Sequence, residues 1–309
     1  MKGEKPKNLV ASVHNRLLNH ARKSKDEPQL VLMRYGLERL LYRLSQSENR
    51  SEFVVKGAML FLVWTGEPHR ATKDLDLLAL KSNSIEHLEK VFREVCKLSV
   101  EDDGLIFLAD SVAAEPIREN DIYQGVRVTL EARLGNARIP LQVDIGFGDV
   151  VTPKAGKITF PTLLDFPAPR VAVYPKETAI AEKFEIMVKL GVANSRMKDY
   201  YDIWALSREF DFDGAQLSDA IRATFRRRNT ALPDGFPVAL SPEFSGDASK
   251  QRQWAAFIKR GRLKIAEGDL EKVIETIRGF LEPALAAVTS GAELTAKWPK
   301  GGPWKGHVT

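Results

Sequence analysis

Along the first 170 residues, the apolar positions change period several times. Gln29 to Leu44 carries Leu30, Met33, Leu37, Leu40, Leu41 and Leu44 at helical spacing. A second, weaker helix is expected around Leu9–Arg22, inside a polar, basic start to the chain. After a polar break at Ser45–Ser51, Glu52–Val55 reads as a short strand that runs through Lys56–Gly57–Ala58 into an apolar helix, Met59–Trp64. Gly66–Pro68 ends that helix. Asp74–Leu80 reads as a strand, and Ser84 as the cap of a helix over Ile85–Leu98. Residues 105–118 are extended in character. Val126–Arg133 alternates as a half-buried strand does, Ile139–Ile145 is another strand, and Gly135–Asn136 supplies a hairpin turn between them.

Beyond Pro175 the period becomes helical. Lys176–Leu190, Asp199–Arg208, Leu217–Arg228, Gln251–Ile265 and Leu270–Val288 read as helices. Ala231–Gly246, rich in proline and glycine, reads as a loop, and Lys297–Thr309 as a loose tail. The expected fold is α+β: a mixed sheet flanked by helices over residues 1–170, then a helical bundle over 171–309. The boundary falls where Pro161, Pro167, Pro169 and Pro175 cluster.

Composition narrows the function classes only a little. At 309 residues, 44% hydrophobic and 28% charged, this is an ordinary globular chain, and its net charge of +5 mildly favours a polyanionic partner. The single cysteine, Cys96, excludes an internal disulfide and a Cys-based zinc site, and its apolar surroundings make it a buried structural thiol. No apolar run reaches membrane-span length, and the charged start, Met1–Lys7, is not followed by a signal-peptide core. The expected location is the cytoplasm.

The chemistry concentrates in carboxylates. Asp74 and Asp76 are two apart on a strand, so both point to one face, where they repel unless a cation such as Mg²⁺ lies between them. Gln142 and Asp144 share a face of the strand Ile139–Ile145; if that strand neighbours Asp74–Leu80, Asp144 becomes a third ligand and two ions can be held. Asp149 is a second candidate but follows Gly146 and Gly148 and reads as a turn residue. Gly57, at a strand-to-helix turn, lets backbone approach a phosphate.

This order of strand–Gly–helix, D-x-D and a lone later Asp resembles the DNA polymerase β-type nucleotidyltransferase superfamily. The run KGAMLFLVWTGEPHRATKDLDL, followed by VDIGFGD, KETAIAEKFEIMVKLG and RMKDYYDIWAL, resembles the AbiEii toxin family of abortive-infection and toxin–antitoxin systems. These segments, in family order, span about half the chain. The resemblance implies a phage-defence toxin that uses Mg²⁺ (or Mn²⁺) and a nucleoside triphosphate, works beside a cognate antitoxin, and adds nucleotides to an acceptor such as the tRNA 3′ end. It implies metal ligation by Asp74, Asp76 and Asp144, and nucleotide contacts from Lys56, Gly57, Ala58, Arg70 and Thr72. Ala58 departs from the usual Gly-Gly or Gly-Ser and offers only its backbone N–H.

In the helical part, Lys183 borders an apolar face; by itself it reads as a lysine reaching to solvent, whereas the resemblance assigns it to the triphosphate. Lys176 is a weaker candidate. Asp199 and Asp202 share a helix face, and the resemblance places one of them in an active site that the helical part completes; the sequence leaves open which. Tyr200, Tyr201 and Trp204 read as core. Two basic runs, Arg222/Arg226/Arg227/Arg228 and Lys259/Arg260/Arg262/Lys264, are candidate RNA contacts, with Arg226, Arg227 and Arg228 the leading ones. Nucleotide transfer to a protein hydroxyl, or a non-catalytic nucleotide-binding module, are the alternatives.

Overall fold

The computed structural model describes residues 8–66, 72–81, 84–119, 123–261, 263 and 269–306. The chain divides into two compact units: residues 1–148 with 156–173, and residues 149–155 with 174–309.

The first unit is built on helices α1 (Leu9–Ser24), α2 (Pro28–Gln46), α3 (Met59–Thr65) and α4 (Ile85–Lys97) and strands β1 (Phe53–Lys56), β2 (Leu75–Ala79), β3 (Ile106–Glu119), β4 (Tyr123–Leu134), β5 (Ala137–Phe147), β6 (Gly156–Thr159) and β7 (Arg170–Val173). The strands form one mixed sheet in the order β3-β4-β5-β2-β1-β7-β6. The helix starts follow capping chemistry: the Asn8 side chain accepts from Ala11 N–H, Ser84 accepts from His87 N–H, and α2 opens on a proline. Gly135, at φ +59°, forms the two-residue turn that sets the β4–β5 register with Leu134 opposite Ala137. The expected α+β architecture is the one observed. Sequence patterning missed β6 and β7, four residues each, which are too short to show a period.

Alternation fixes which face of β5 is covered. Ile139, Leu141, Val143 and Ile145 are buried, and the Ile139 and Leu141 side chains lie against Gly36 of α2, where a Cβ would crowd them. Gln142 and Asp144 therefore point from the opposite face.

Helix α2 is not a simple amphipathic helix: Glu38, Arg39 and Arg43 are buried along with its leucines. Asp103 accepts from Arg39 Nε at 2.8 Å and from both terminal nitrogens of Arg43 at 2.7 and 3.1 Å. Arg39 also donates to the Pro167 carbonyl at 2.7 Å, and the Leu163 N–H donates to Glu38 at 2.7 Å. These bonds tie two loops to the helix.

Burial pushes the Glu38 carboxyl up to about 7, against the downward pull of the Leu163 N–H and Arg39. The folded chain thus keeps a proton there that the unfolded chain releases near the ordinary value of 4.5, so this group's contribution to stability falls as pH rises across that window to about 7. Glu38→Gln is expected to flatten the dependence of the thermal midpoint on pH over the same window. An unaltered slope would show that Glu38 is ionised in the folded state.

The second unit contains α5 (Lys176–Leu190), α6 (Met197–Glu209), α7 (Gly214–Arg227), α8 (Pro242–Gly246), α9 (Ala248–Gly261) and α10 (Leu270–Ser290), with a small two-stranded sheet of β8 (Phe212–Asp213) and β9 (Lys297–Trp298). Its core joins Ile180, Phe184, Met187, Tyr200, Ile203, Leu206, Ile221, Phe225, Ile277 and Phe280.

Two sequence expectations are corrected here. The stretch 231–246 is not all loop: a 3-10 turn at Val238–Leu240 and α8 bury Leu240 and Phe244. The tail is not loose through residue 306. Trp298 is buried and donates to the Ser207 carbonyl at 2.7 Å, while Trp304 stacks on Phe280 and donates to its carbonyl at 3.0 Å. Two indoles, each with its N–H satisfied, outweigh the local glycines and prolines. Among the described residues, no helix is long and apolar enough to cross a membrane.

Candidate active site

The centre of the first unit's sheet carries a row of charges. Strand pairing sets Glu115 of β3 opposite Arg127 of β4, Arg127 opposite Asp144 of β5, Asp144 opposite Asp76 of β2, and Asp76 opposite Lys56 of β1. Directly opposed residues project to the same side, so the row reads minus, plus, minus, minus, plus across five strands. Like charges opposed across strands are destabilising. The row contains that arrangement once, at Asp144 and Asp76, and it is flanked on each side by a cation.

Asp74 joins this pair from the bend immediately before β2, rather than from the strand itself. The Thr72 hydroxyl donates to Asp74 Oδ1 at 2.5 Å and so holds the carboxylate of a residue outside the ladder. One oxygen from each of Asp74, Asp76 and Asp144 lies within 4.8 Å of the others. Asp144 is gripped by a residue that the sequence reading passed over: Arg127 donates through Nε at 2.9 Å and a terminal nitrogen at 2.8 Å to its two oxygens, and Gln142 donates at 3.1 Å. The hydrogen bonds to Asp144 hold the Arg127 guanidinium above its usual range.

Gly57 takes the left-handed conformation, φ +76°, between β1 and α3. A Cβ built there would overlap the Asp76 carboxylate, so the glycine leaves room for a carboxylate of this protein, a use beyond the phosphate approach expected from sequence. Ala58 is buried at the start of α3 and provides no side-chain cap. Gly57→Ala is expected to cost about 1–2 kcal/mol from the backbone alone, and more by displacing Asp76. Thermal denaturation should show a lower midpoint together with lost divalent-ion binding; full retention of both would remove Gly57 from the site.

The second unit carries its own polar cluster. Lys183 of α5 donates to Asp199 at 2.9 Å and also lies 2.9 Å from Asp202, both on α6. Both aspartates hold the lysine. Arg196 binds the other oxygen of Asp199 at 2.9 Å. Burial works to raise the Asp199 carboxyl, but Lys183 and Arg196 reverse this and hold it well below the usual range. Lys176 is engaged elsewhere, over the Phe210 and Phe212 rings at 5.1 and 5.8 Å. Tyr200 and Tyr201 are core, as expected.

The first basic run divides in two. Arg226 and Arg227 are exposed, but Arg228 turns inward to Asp149 at 3.0 Å, Glu185 at 2.8 Å and Glu182 at 3.4 Å. That removes Arg228 from the RNA-contact set and gives Asp149 an ion-pairing role within the second unit. In the second run, Lys259 and Arg260 lie in the last turn of α9, while Arg262, Lys264 and also Arg70 lie outside the described residues.

The sequence profile described as "Nucleotidyl transferase AbiEii toxin, Type IV TA system" matches residues 39–278. A Helicobacter pylori crystal structure, provisionally described as a nucleotidyltransferase, is similar in fold at 13% identity and a TM-score of 0.50, over 87% of this chain and all of that one. A second Helicobacter pylori crystal structure is similar at 13% identity and a TM-score of 0.49, over 86% of this chain and 95% of that one. No curated protein matches. With the profile spanning most of both units and the fold shared, the chain belongs to the AbiEii nucleotidyltransferase toxin family.

Proposed function

We propose that the chain transfers a nucleotidyl group from a nucleoside triphosphate to the 3′ end of a tRNA, releasing pyrophosphate and so blocking translation. The observation that carries this reading is the convergence of the Asp74, Asp76 and Asp144 carboxylates within 4.8 Å on one sheet face. Three carboxylates so close form a donor set for a hard divalent ion, Mg²⁺ or Mn²⁺, and repel one another in its absence. When bound, such an ion neutralises the phosphate oxygens and withdraws charge from the reacting phosphorus.

The chain's residues divide the remaining work. Thr72 holds Asp74, the Gly57 turn accommodates Asp76, and Arg127 with Gln142 orients Asp144. The acceptor oxygen bonds to the α-phosphorus as the α–β bridging P–O bond breaks, and pyrophosphate leaves with that electron pair. An oxygen of Asp144 takes the proton from the acceptor hydroxyl. Lys56, with the backbone at Gly57 and Ala58, and Arg70 contribute to triphosphate binding. Lys183, kept as a point charge by Asp199 and Asp202, is a further phosphate contact. Arg226 and Arg227 are the assigned contacts to the RNA backbone. A cognate antitoxin would restrain the activity in the cell.

The test is incubation of the purified chain with Mg²⁺, each labelled nucleoside triphosphate in turn, and total tRNA. Label on tRNA with release of pyrophosphate is the expected result. Label on protein would redirect the proposal to a protein hydroxyl. Nucleotide binding without transfer would leave a non-catalytic module.

A further inference from the structure

We propose that Arg127 is a displaceable counter-ion of the carboxylate triad, and that Glu115 is the seat to which it moves when a divalent cation is bound. This rests on the metal-binding reading of the triad given above. Arg127 occupies both oxygens of Asp144. That fork takes one lone pair of each oxygen and Gln142 takes the other on Oδ1, so a cation that needs Asp144 as a ligand is left one lone pair of Oδ2 and competes with Arg127 for the rest. The competition has a geometry. Asp144 lies between two strand neighbours, Arg127 on one side and Asp76 on the other. A cation drawn toward Asp76 and Asp74 must therefore approach Asp144 from the side away from Arg127.

Arg127 has somewhere to go. Its other cross-strand neighbour is Glu115, which is exposed and projects from the same side of the sheet. Arg127 is itself partly exposed, with about a third of its side chain accessible, so it can change partners without crossing a packed core. With the ion absent, Arg127 offsets the mutual repulsion of the triad. With the ion present, that offset is redundant, and Arg127 paired with Glu115 frees one lone pair on each Asp144 oxygen, the Gln142 bond to Oδ1 staying in place. An arginine serving only to orient Asp144 would support ion binding; a competing arginine opposes it. The two roles predict opposite signs for the same substitution.

The experiment is a Mn²⁺ titration of the intact chain at constant pH and ionic strength, reading free Mn²⁺ by electron paramagnetic resonance. Thermal denaturation of each variant checks folding. Asp76→Asn should abolish binding. Arg127→Gln should bind Mn²⁺ about threefold to fivefold more tightly than the unaltered chain, the equivalent of one exposed ion pair removed from competition. Arg127→Lys keeps a positive charge but cannot grip two oxygens, and should tighten binding by a smaller factor; it carries the test if Arg127→Gln does not fold. Glu115→Gln, which removes the alternative seat, should weaken binding about twofold to threefold. Unchanged or weaker Mn²⁺ binding in both Arg127 variants overturns the proposal, while an unchanged Glu115→Gln affinity eliminates the seat. Failure of the unaltered chain to bind Mn²⁺ would overturn the triad reading and this proposal together; binding by the unaltered chain with no response to Arg127 would overturn this proposal alone.

Discussion

Asp76→Ala is expected to reduce nucleotide transfer by about a thousandfold or more while leaving the chain folded, because charge stabilisation worth several kcal/mol is lost at about 1.4 kcal/mol per tenfold in rate. Asp76 is the member of the triad that sits on β2 itself, directly opposite Asp144. It is opposed to Asp144 on one side and Lys56 on the other, and the missing side chain of Gly57 opens the space it fills. Removing it leaves two of the three donor groups. Folding should survive, since the substitution relieves a like-charge contact with Asp144, and the neighbours Leu75 and Leu77 that anchor β2 stay buried. Rate and denaturation midpoint must be read together. Transfer within tenfold of the unaltered chain, in a folded variant, would remove the triad from the chemistry. Transfer lost together with the thermal transition would show instead that Asp76 acts through the fold.

Much of this arrangement was legible in the sequence, by physical routes that can be named. The strand alternation and the Gly135–Asn136 turn carry the β4–β5 register. With Leu134 opposite Ala137, counting back along both strands sets Arg127 opposite Asp144. The clamp on Asp144 was thus implicit in a two-residue turn, although no motif marks Arg127. The parallel contact of β2 with β5 was not legible, since these strands lie far apart in the chain and pairing at that distance leaves no periodic trace. Nor was the fate of Arg228. A run of arginines at the end of a helix looks the same whether it faces water or carboxylates, and only the fold brings Asp149, Glu182 and Glu185 to it. The order in the tail is hidden for a related reason: Gly301, Gly302 and Pro303 signal a loop locally, whereas Trp298 and Trp304 act over distance on Ser207 and Phe280.

Asp103→Ala is expected to lower stability by about 3–5 kcal/mol, the usual result of removing one partner from a buried ion pair. In a unit of this size that corresponds to a fall in midpoint of roughly 10 °C. Asp103 is fully buried and is the shared acceptor for Arg39 and Arg43, of which Arg39 is also fully buried. Without it, two guanidinium groups remain in a low-dielectric interior with too few acceptors. The Asp103 carboxylate also accepts from the Leu105 N–H at 3.2 Å, so the start of β3 loses a constraint. Burial alone would raise the Asp103 carboxyl, but Arg43 and then Arg39 overcome it and hold it below its ordinary value. Its stabilisation is therefore complete above the ordinary carboxylate range and is lost as pH falls through the lower, folded value. Glu38 has the opposite sign, so the two contributions separate on a pH scan: the Asp103 loss appears only in acid. The interpretation can be checked against simple loss of packing. Replacing Asp103, Arg39 and Arg43 together by leucine or methionine removes the stranded charges, and should recover most of the midpoint lost in Asp103→Ala. If the triple variant is less stable than the single one, the network contributes attraction beyond mutual charge cancellation. If Asp103→Ala leaves the midpoint within 2 °C or so of the unaltered chain, the arginines have found other acceptors and the network is not a determinant of this fold.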